Sequence, residues 1–392
     1  MRGALAVMPP ASADAFVDSI GADSHFNYGG TSYTTNAATV GAALISSGIR
    51  HLRDGEPQDN YASELAYLGA NGIKHSVFFP VTTTAAQITA TLMLYAPYVD
   101  FVEPQNEYDR SGDPNWAAAL QAEQQLLYTT VQSNPAFAGI KVLGPSFARP
   151  ADAASVGPLD QFEDAGNLHN YTCNLNPGTT TSIGISALSA LIRGATATKP
   201  IWTTEVGYED DLGVSTCALS DATIAKYVPR TIAERWLAGE PRTYFYQFAD
   251  MAPSTGYNAM GLVTAAGAPK PQYTALASLI GRLADPGPSF ATAPLGYTLA
   301  GNTQDVHQIL LEKRNGNYFL LVWLEKPSWN PATQTPIAVV PQTVQIVLAA
   351  TPTVVSVGTF DSRWALSEQV LNPSSTILVK VTDSITFVKI HP

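Results

Sequence analysis

Between residues 16 and 247, short apolar runs alternate with longer stretches in which apolar positions recur three and four residues apart. A strand covered on both faces reads as a nearly unbroken apolar block, and a helix lying on a sheet reads with a 3.6-residue period. The alternation therefore predicts parallel βα units. Eight runs are legible: FVDSIGAD (16–23), GIRHLRD (48–54), GIKHSVFF (72–79), YVDFVEP (98–104), IKVLGPS (140–146), AGNLHNY (165–171), PIWTTEV (200–206) and RTYFYQF (242–248). The clearest helices are ASELAYLGANG, with Gly72 as its stop, NWAAALQAEQQLLYTTVQ, and SDATIAKYVPRTIAERWLAG, which opens on a Ser/Asp cap and carries Pro229 as an expected kink.

Eight such units over about 250 residues is the length of a closed barrel. The expected fold class is α/β, a (β/α)8 TIM barrel over residues 15–286 followed by a C-terminal all-β sandwich over 287–392. A doubly wound sheet would use fewer strands and a glycine-rich phosphate turn, and no GxGxxG follows the first run. Beyond residue 287 the texture changes to short alternating segments rich in Val, Ile and Thr, with RNGN (314–317) as a hairpin turn. Residues 1–14 hold one basic residue, a short apolar run and an Ala11-Ser12-Ala13 triplet, and are expected to be a leader remnant or a flexible N-terminus.

Composition removes several function classes. Hydrophobic residues at 45% against 14% charged, with 29 Gly and 28 Pro in 392 residues, describe a loop-rich globular protein with ample core. A net charge of -11 without a Lys/Arg run argues against a nucleic-acid partner. No stretch of about 20 apolar residues predicts a membrane span. The six His are scattered without HExxH spacing, so no metal and no cofactor is expected. Low Lys content and two Cys favour a secreted or periplasmic protein.

The chemistry concentrates where strands end. The fourth run leads into Asn106-Glu107 and the seventh ends at Glu205, 98 positions later (205 minus 107). In a barrel both carboxylates point into one bowl. Hydrolysis of a glycosidic bond with retention needs this pairing, one carboxylic acid to protonate the leaving oxygen and one carboxylate about 5–5.5 Å away to attack the anomeric carbon. Arg53, at the end of the second run, is a candidate to hold Glu205 ionised, with Arg50 as the alternative if the register slips and a structural ion pair with Asp54 or another barrel carboxylate as the plain reading. His169 and Tyr171, after the sixth run, are candidates to bond the nucleophile or sugar hydroxyls, Asn106 to bind the sugar 2-hydroxyl, and His25, after the first run, to contact a hydroxyl. Trp116, Trp202 and Trp236 read as core.

QNE after the fourth strand, GNLHNYT on the sixth and TTEVG on the seventh resemble clan A glycoside hydrolases, with a layout similar to family 39 and family 5 members over residues 16–280. The trailing GLVTAAGAPKPQYTALASLI (261–280) is similar to the segment that closes the barrel in those proteins. The resemblance implies that Glu107 is the acid/base and Glu205 the nucleophile of an enzyme acting on a β-linked glycoside, with an oligo- or polysaccharide as substrate. An inactive carbohydrate-binding protein on the same barrel and a transglycosylase are the alternatives. The clan places a Trp at the end of strand eight; TYFYQFAD offers Tyr246 or Phe248 in its place. Cys173 and Cys217 follow strands six and seven on loops expected to be neighbours, a possible disulfide. The NYT sequon at 170–172 reads as coincidence, and the loop EDDLGVSTCALSD (209–221) as a wall at one end of the cleft.

Overall fold

The structure is a computed structural model and describes residues 8–57 and 61–392. Eight parallel strands form the first sheet: β1 (Ile20–Asp23), β2 (His51–Arg53), β3 (Lys74–Phe78), β4 (Val99–Glu103), β5 (Lys141–Val142), β6 (Gly166–His169), β7 (Ile201–Val206) and β8 (Thr243–Phe245). Each lies inside one of the eight apolar runs. The order is β5-β4-β3-β2-β1-β8-β7-β6. Just past the ends of the outer pair, Leu143 and Ala165 form a parallel bridge and the Gly144 N–H donates to the Ala165 carbonyl at 2.7 Å, which closes the ring.

The first run is only half strand. Ala13–Asp18 is a helix, capped where Ser12 Oγ accepts from the Ala15 N–H at 3.3 Å, and its Ala13, Phe16 and Val17 are buried. Positions 13, 16 and 17 lie on one helical face, and this spacing outweighs the extended reading of FVDSI. The long helices run over Tyr61–Ala70, Trp116–Gln132 and Asp221–Leu237; the last continues across Pro229, and Ser220 Oγ accepts from the Thr223 N–H at its start. Gly72, at φ +86°, ends the first of them, as a residue without Cβ can. The helix Pro271–Leu283, in the closing segment, packs on Asp221–Leu237 and on Ala37–Ser47.

Inside the ring Phe101, Leu143, Ala165, Trp202 and Tyr244 form a small buried cluster beneath the strand ends. Trp202 and Tyr244 each meet Phe101 edge-on, at 5.5 and 5.6 Å between ring centres. A Cβ on Gly21 would lie 2.4 Å from the Tyr244 ring, so β1 needs glycine there to admit this plug. A filled interior confines chemistry to the rim.

The C-terminal part is a sandwich. Its larger sheet contains β10 (Val306–Glu312), β11 (Tyr318–Leu324), β13 (Val354–Phe360), β14 (Leu366–Leu371) and β16 (Thr386–His391); its smaller sheet contains β9 (Tyr297–Gly301), β12 (Gln342–Leu348) and β15 (Thr376–Val381). The turn joining β10 to β11 carries the expected RNGN, with Gly316 at φ +76°. β11 is apolar at every position because both faces are covered. Phe319, Leu321 and Trp323 join the barrel's core, and Leu320, Val322 and Leu324 join the core between the sheets. At the junction Arg230 and Glu325 pair at 2.7 Å, and Trp323 Nε1–H donates to Glu234 at 2.9 Å.

Ala11–Ser12 pairs in parallel with Leu311–Glu312 as an edge of the larger sandwich sheet, and the helix Ala13–Asp18 follows directly. Residues 1–7 of that expected leader lie outside the described residues. Among the described residues no helix is long and apolar enough to cross a membrane.

Candidate active site

A cavity of about 490 Å³ opens at the C-terminal ends of the strands. All eight site candidates reach it: His25 after β1, Arg53 from β2, Asn106 and Glu107 after β4, His169 from β6, Tyr171 after it, Glu205 from β7 and Tyr246 after β8. Glu107 takes a left-handed conformation, φ +46° and ψ +44°, and its N–H donates to Ser146 Oγ at 3.2 Å. A non-glycine residue held there costs on the order of 1–3 kcal/mol, a strain that concentrates at functional sites. Gly207, two residues past Glu205, permits the approach of strand eight's end: a Cβ there would sit 2.0 Å from the Tyr246 carbonyl oxygen.

Arg53 organises the floor. Its Nη1–H donates to Glu205 Oε1 at 2.7 Å and to Asp23 Oδ1 at 3.0 Å, its Nε–H to Glu103 Oε1 at 2.5 Å, and its Nη2–H to Asn106 Oδ1 at 2.7 Å. The fork geometry of guanidinium suits several planar acceptors at once. Burial, only partly offset by the Arg53 charge, raises the Asp23 carboxyl well above the usual carboxylate range. Of the plain partners considered for Arg53, other barrel carboxylates, Glu103 and Asp23, do pair with it, whereas Asp54 binds elsewhere: its carboxylate accepts from Ser24 Oγ at 2.7 Å and the Phe26 N–H at 2.8 Å, bracketing His25. Arg50 pairs with Asp14 at 2.6 Å, away from the cavity.

The two glutamates differ in surroundings. Glu205 is 7% exposed, and its second oxygen accepts from the Tyr171 hydroxyl at 2.6 Å. Burial, reinforced by the Glu205 charge, raises the Tyr171 hydroxyl well above its ordinary range, so it remains a donor. Glu107 is more open. Burial pushes its carboxyl up, but the His169 hydrogen bond at 2.9 Å and the His169 charge outweigh that, and the net shift is downward. This runs against the requirement that the acid keep its proton through burial. His169 Nδ1 also lies 3.4 Å from Glu205, so the imidazole bridges the pair.

Glu107, His169 and Glu205 place ligand atoms within 4.8 Å of one another, the one trio of potential metal ligands among the described residues. Both Glu205 oxygens are already bonded, and the Arg53 charge 2.7 Å away opposes a dication. The trio fits carboxylate chemistry better than a metal.

His25 stacks on Tyr28 with ring centres 4.7 Å apart and meets Tyr246 edge-on at 5.3 Å. Burial and the Arg53 charge lower its imidazole to about 3, so it faces the cavity neutral. Tyr246, not Phe248, takes the place of the expected strand-eight aromatic: Phe248 is fully buried in the core. Trp202 is plugged inside the ring, and Trp116 and Trp236 pack against core clusters. Sequence reasoning missed Tyr28 and Tyr257, 45% and 56% exposed at the cavity mouth, and Glu103, Ser146 and Arg110. Glu103 had a signal, its even spacing from Phe101 on an inward-facing strand; the loop tyrosines had none.

Cys173 and Cys217 are joined as a disulfide, Cα atoms 4.8 Å apart, tying the loops after β6 and β7. The 209–221 loop does not line the main cavity; Glu209 and Cys217 border a smaller pocket of about 220 Å³ behind Tyr171 and Tyr257. Asn170 of the sequon is fully buried, its amide donating to the Ile183 carbonyl and accepting from Arg235.

Three solved structures share this architecture. A family 39 glycoside hydrolase from the gut symbiont Bacteroides cellulosilyticus WH2 aligns at TM-score 0.64 and 15% identity over 97% of this chain and 83% of its own. The GH51 arabinofuranosidase from Xanthomonas axonopodis pv. citri aligns at 0.61 and 13% over 98% of both chains. A glucosidase from Croceicoccus marinus aligns at 0.60 and 11% over 90% and 91%. No family model and no curated protein matches the sequence. At these identities the likeness is one of fold, a TIM barrel with a β-sandwich as in these clan A glycoside hydrolases.

Proposed function

We propose that this protein is a retaining glycoside hydrolase that cleaves a β-linked glycoside by double displacement, with Glu107 as acid/base and Glu205 as nucleophile. The observation that carries the reading is the spacing of their carboxyl oxygens, within 4.8 Å, in unequal surroundings at the rim of a filled barrel. Glu205, held by Arg53 and Tyr171, attacks the anomeric carbon while Glu107 gives its proton to the departing oxygen. Glu107 then takes a proton from water, whose oxygen displaces Glu205 and restores the starting anomer. The Asn106 amide nitrogen, whose oxygen is occupied by Arg53 and Ser146, is left to donate to a sugar hydroxyl. The disulfide supports an oxidising compartment, secreted or periplasmic. A panel of aryl glycosides followed by NMR tests the proposal: the first-formed sugar should keep the substrate's anomeric configuration, and inversion or no turnover across the panel defeats it.

The bridging imidazole has a measurable consequence. The first step needs Glu107 protonated, and in the free enzyme its proton is held more weakly than ordinary. kcat/KM should therefore fall as pH rises through that depressed pKa, placing the basic limb on the acid side. In His169→Gln the two largest lowering contributions are gone and burial is opposed only by the Arg110 and Arg53 charges, so the basic limb should move to higher pH. A pH profile with that limb unmoved would show that His169 does not govern the acid.

A further inference from the structure

The line joining the two glutamates divides the ring unequally. From β4 to β7 one way round lie β3, β2, β1 and β8; the other way lie β5 and β6. The first side presents Arg53, His25, Tyr28 and Tyr246, a set of donors and aromatic rings suited to hydroxyls and sugar faces. On the second side His169 and Tyr171, both engaged with the glutamates, come from β6 and just after it; beyond them the cavity is lined by Ala148 and Pro150 after β5 and Ile183 and Leu188 after β6, with Arg110 beside Glu107. The turn at Pro150–Asp152 and the helix Ile185–Ile192 pack on each other, which brings the segments that carry Pro150 and Leu188 together, and Ala148 and Ile183, close to them in sequence, line the same cavity.

Resting on the hydrolase reading above, the geometry points to an apolar, non-sugar leaving group: an alkyl or aryl aglycone that lies against Ala148, Pro150, Ile183 and Leu188. The acid protonates the leaving oxygen, so the leaving group extends from Glu107 toward the β5–β6 side, with the sugar ring on the donor-rich side. A second sugar on that wall would bury hydroxyls against side chains that cannot hydrogen-bond, which is unfavourable, whereas an alkyl or aryl group loses apolar surface to it. This replaces the expected oligo- or polysaccharide substrate with glycosides of small apolar alcohols or phenols.

The test uses whichever sugar the aryl panel shows to turn over, as a series of n-alkyl glycosides from ethyl to octyl and as disaccharides with the same non-reducing sugar. The alcohols differ little in acidity, so chain-length dependence reports contact with the wall. kcat/KM should rise about fourfold per methylene over the first few carbons, the effect of burying one CH₂, and the octyl glycoside should exceed the disaccharides. Ile183→Asn, on a loop, and Leu188→Asn, with its melting temperature checked, should each flatten the series. Leu191→Asn, on the same helix but 42% exposed, should leave both the series and the activity as they are. A flat series in the native protein, or disaccharides preferred over octyl, overturns the inference while leaving hydrolysis intact. Absence of turnover on every aryl glycoside overturns the hydrolase reading itself, and this inference with it.

Discussion

Glu205→Ala is expected to lower turnover of an activated aryl glycoside by about 10⁵–10⁶-fold, the loss seen when a nucleophile acting as part of a unit is removed. The methyl that remains cannot bond the anomeric carbon, while Arg53 and Tyr171 continue to face the vacated space. Azide fits there, and the product should be a glycosyl azide of inverted configuration. Glu107→Ala should behave differently. An activated phenol needs no proton to leave, so the first step survives, the intermediate accumulates, and overall turnover falls by about 10²–10⁴-fold. Azide then attacks the intermediate and gives a product of retained configuration. If Glu107→Ala yields the inverted azide and Glu205→Ala the retained one, the two roles are exchanged.

Arg53 carries the second large effect. It is the buried cation that serves Glu205, Glu103, Asp23 and Asn106 together. Arg53→Met would leave the carboxylates of Glu103 and Glu205 buried without their partner, a loss of about 3–5 kcal/mol of stability. That should appear as a lowered melting temperature before any kinetic comparison is meaningful. Arg53→Lys keeps the charge but not the planar fork, since one ammonium cannot reach acceptors arranged around a guanidinium edge. It should fold and lose about 10²–10³-fold in kcat/KM, the cost of losing one preorganised donor to a reacting group. A lysine variant with native kcat/KM would reduce Arg53 to a point charge in the barrel floor.

Much of the site was legible before the fold was known. Asn106-Glu107 and Glu205 follow apolar runs, and in a parallel barrel the ends of such runs share one rim. Arg53, His25, His169 and Tyr171 followed from the same reasoning, Tyr246 or Phe248 from the resemblance, and all of these but Phe248 reach the cavity. The pieces that escaped depend on loops. Tyr28 sits where it does because His25 stacks under it, and Tyr257 because its ring meets Tyr171 and Tyr246 edge-on, 5.6 and 6.3 Å away. Neither contact leaves a period in the chain. The short fold-level error at the first run has the opposite cause: Ala13, Phe16 and Val17 do carry a helical period, over too few residues to stand out from the strand that follows.

The sequence by itself determined the alternation of eight strands with helices, the change to a sandwich, and which dipeptides would stand at the strand ends, because burial periodicity is a local property written residue by residue. Tertiary structure decided that one arginine would hold Glu205 and three further acceptors, that His169 would bridge the two glutamates and lower Glu107, that Ala11–Ser12 would join a sheet about 300 residues away, and that Ala148, Pro150, Ile183 and Leu188 would line one cavity. Those outcomes depend on which strands and loops the fold brings together, and groups brought together through space alter each other's charge and hydrogen bonding without any trace in their spacing along the chain.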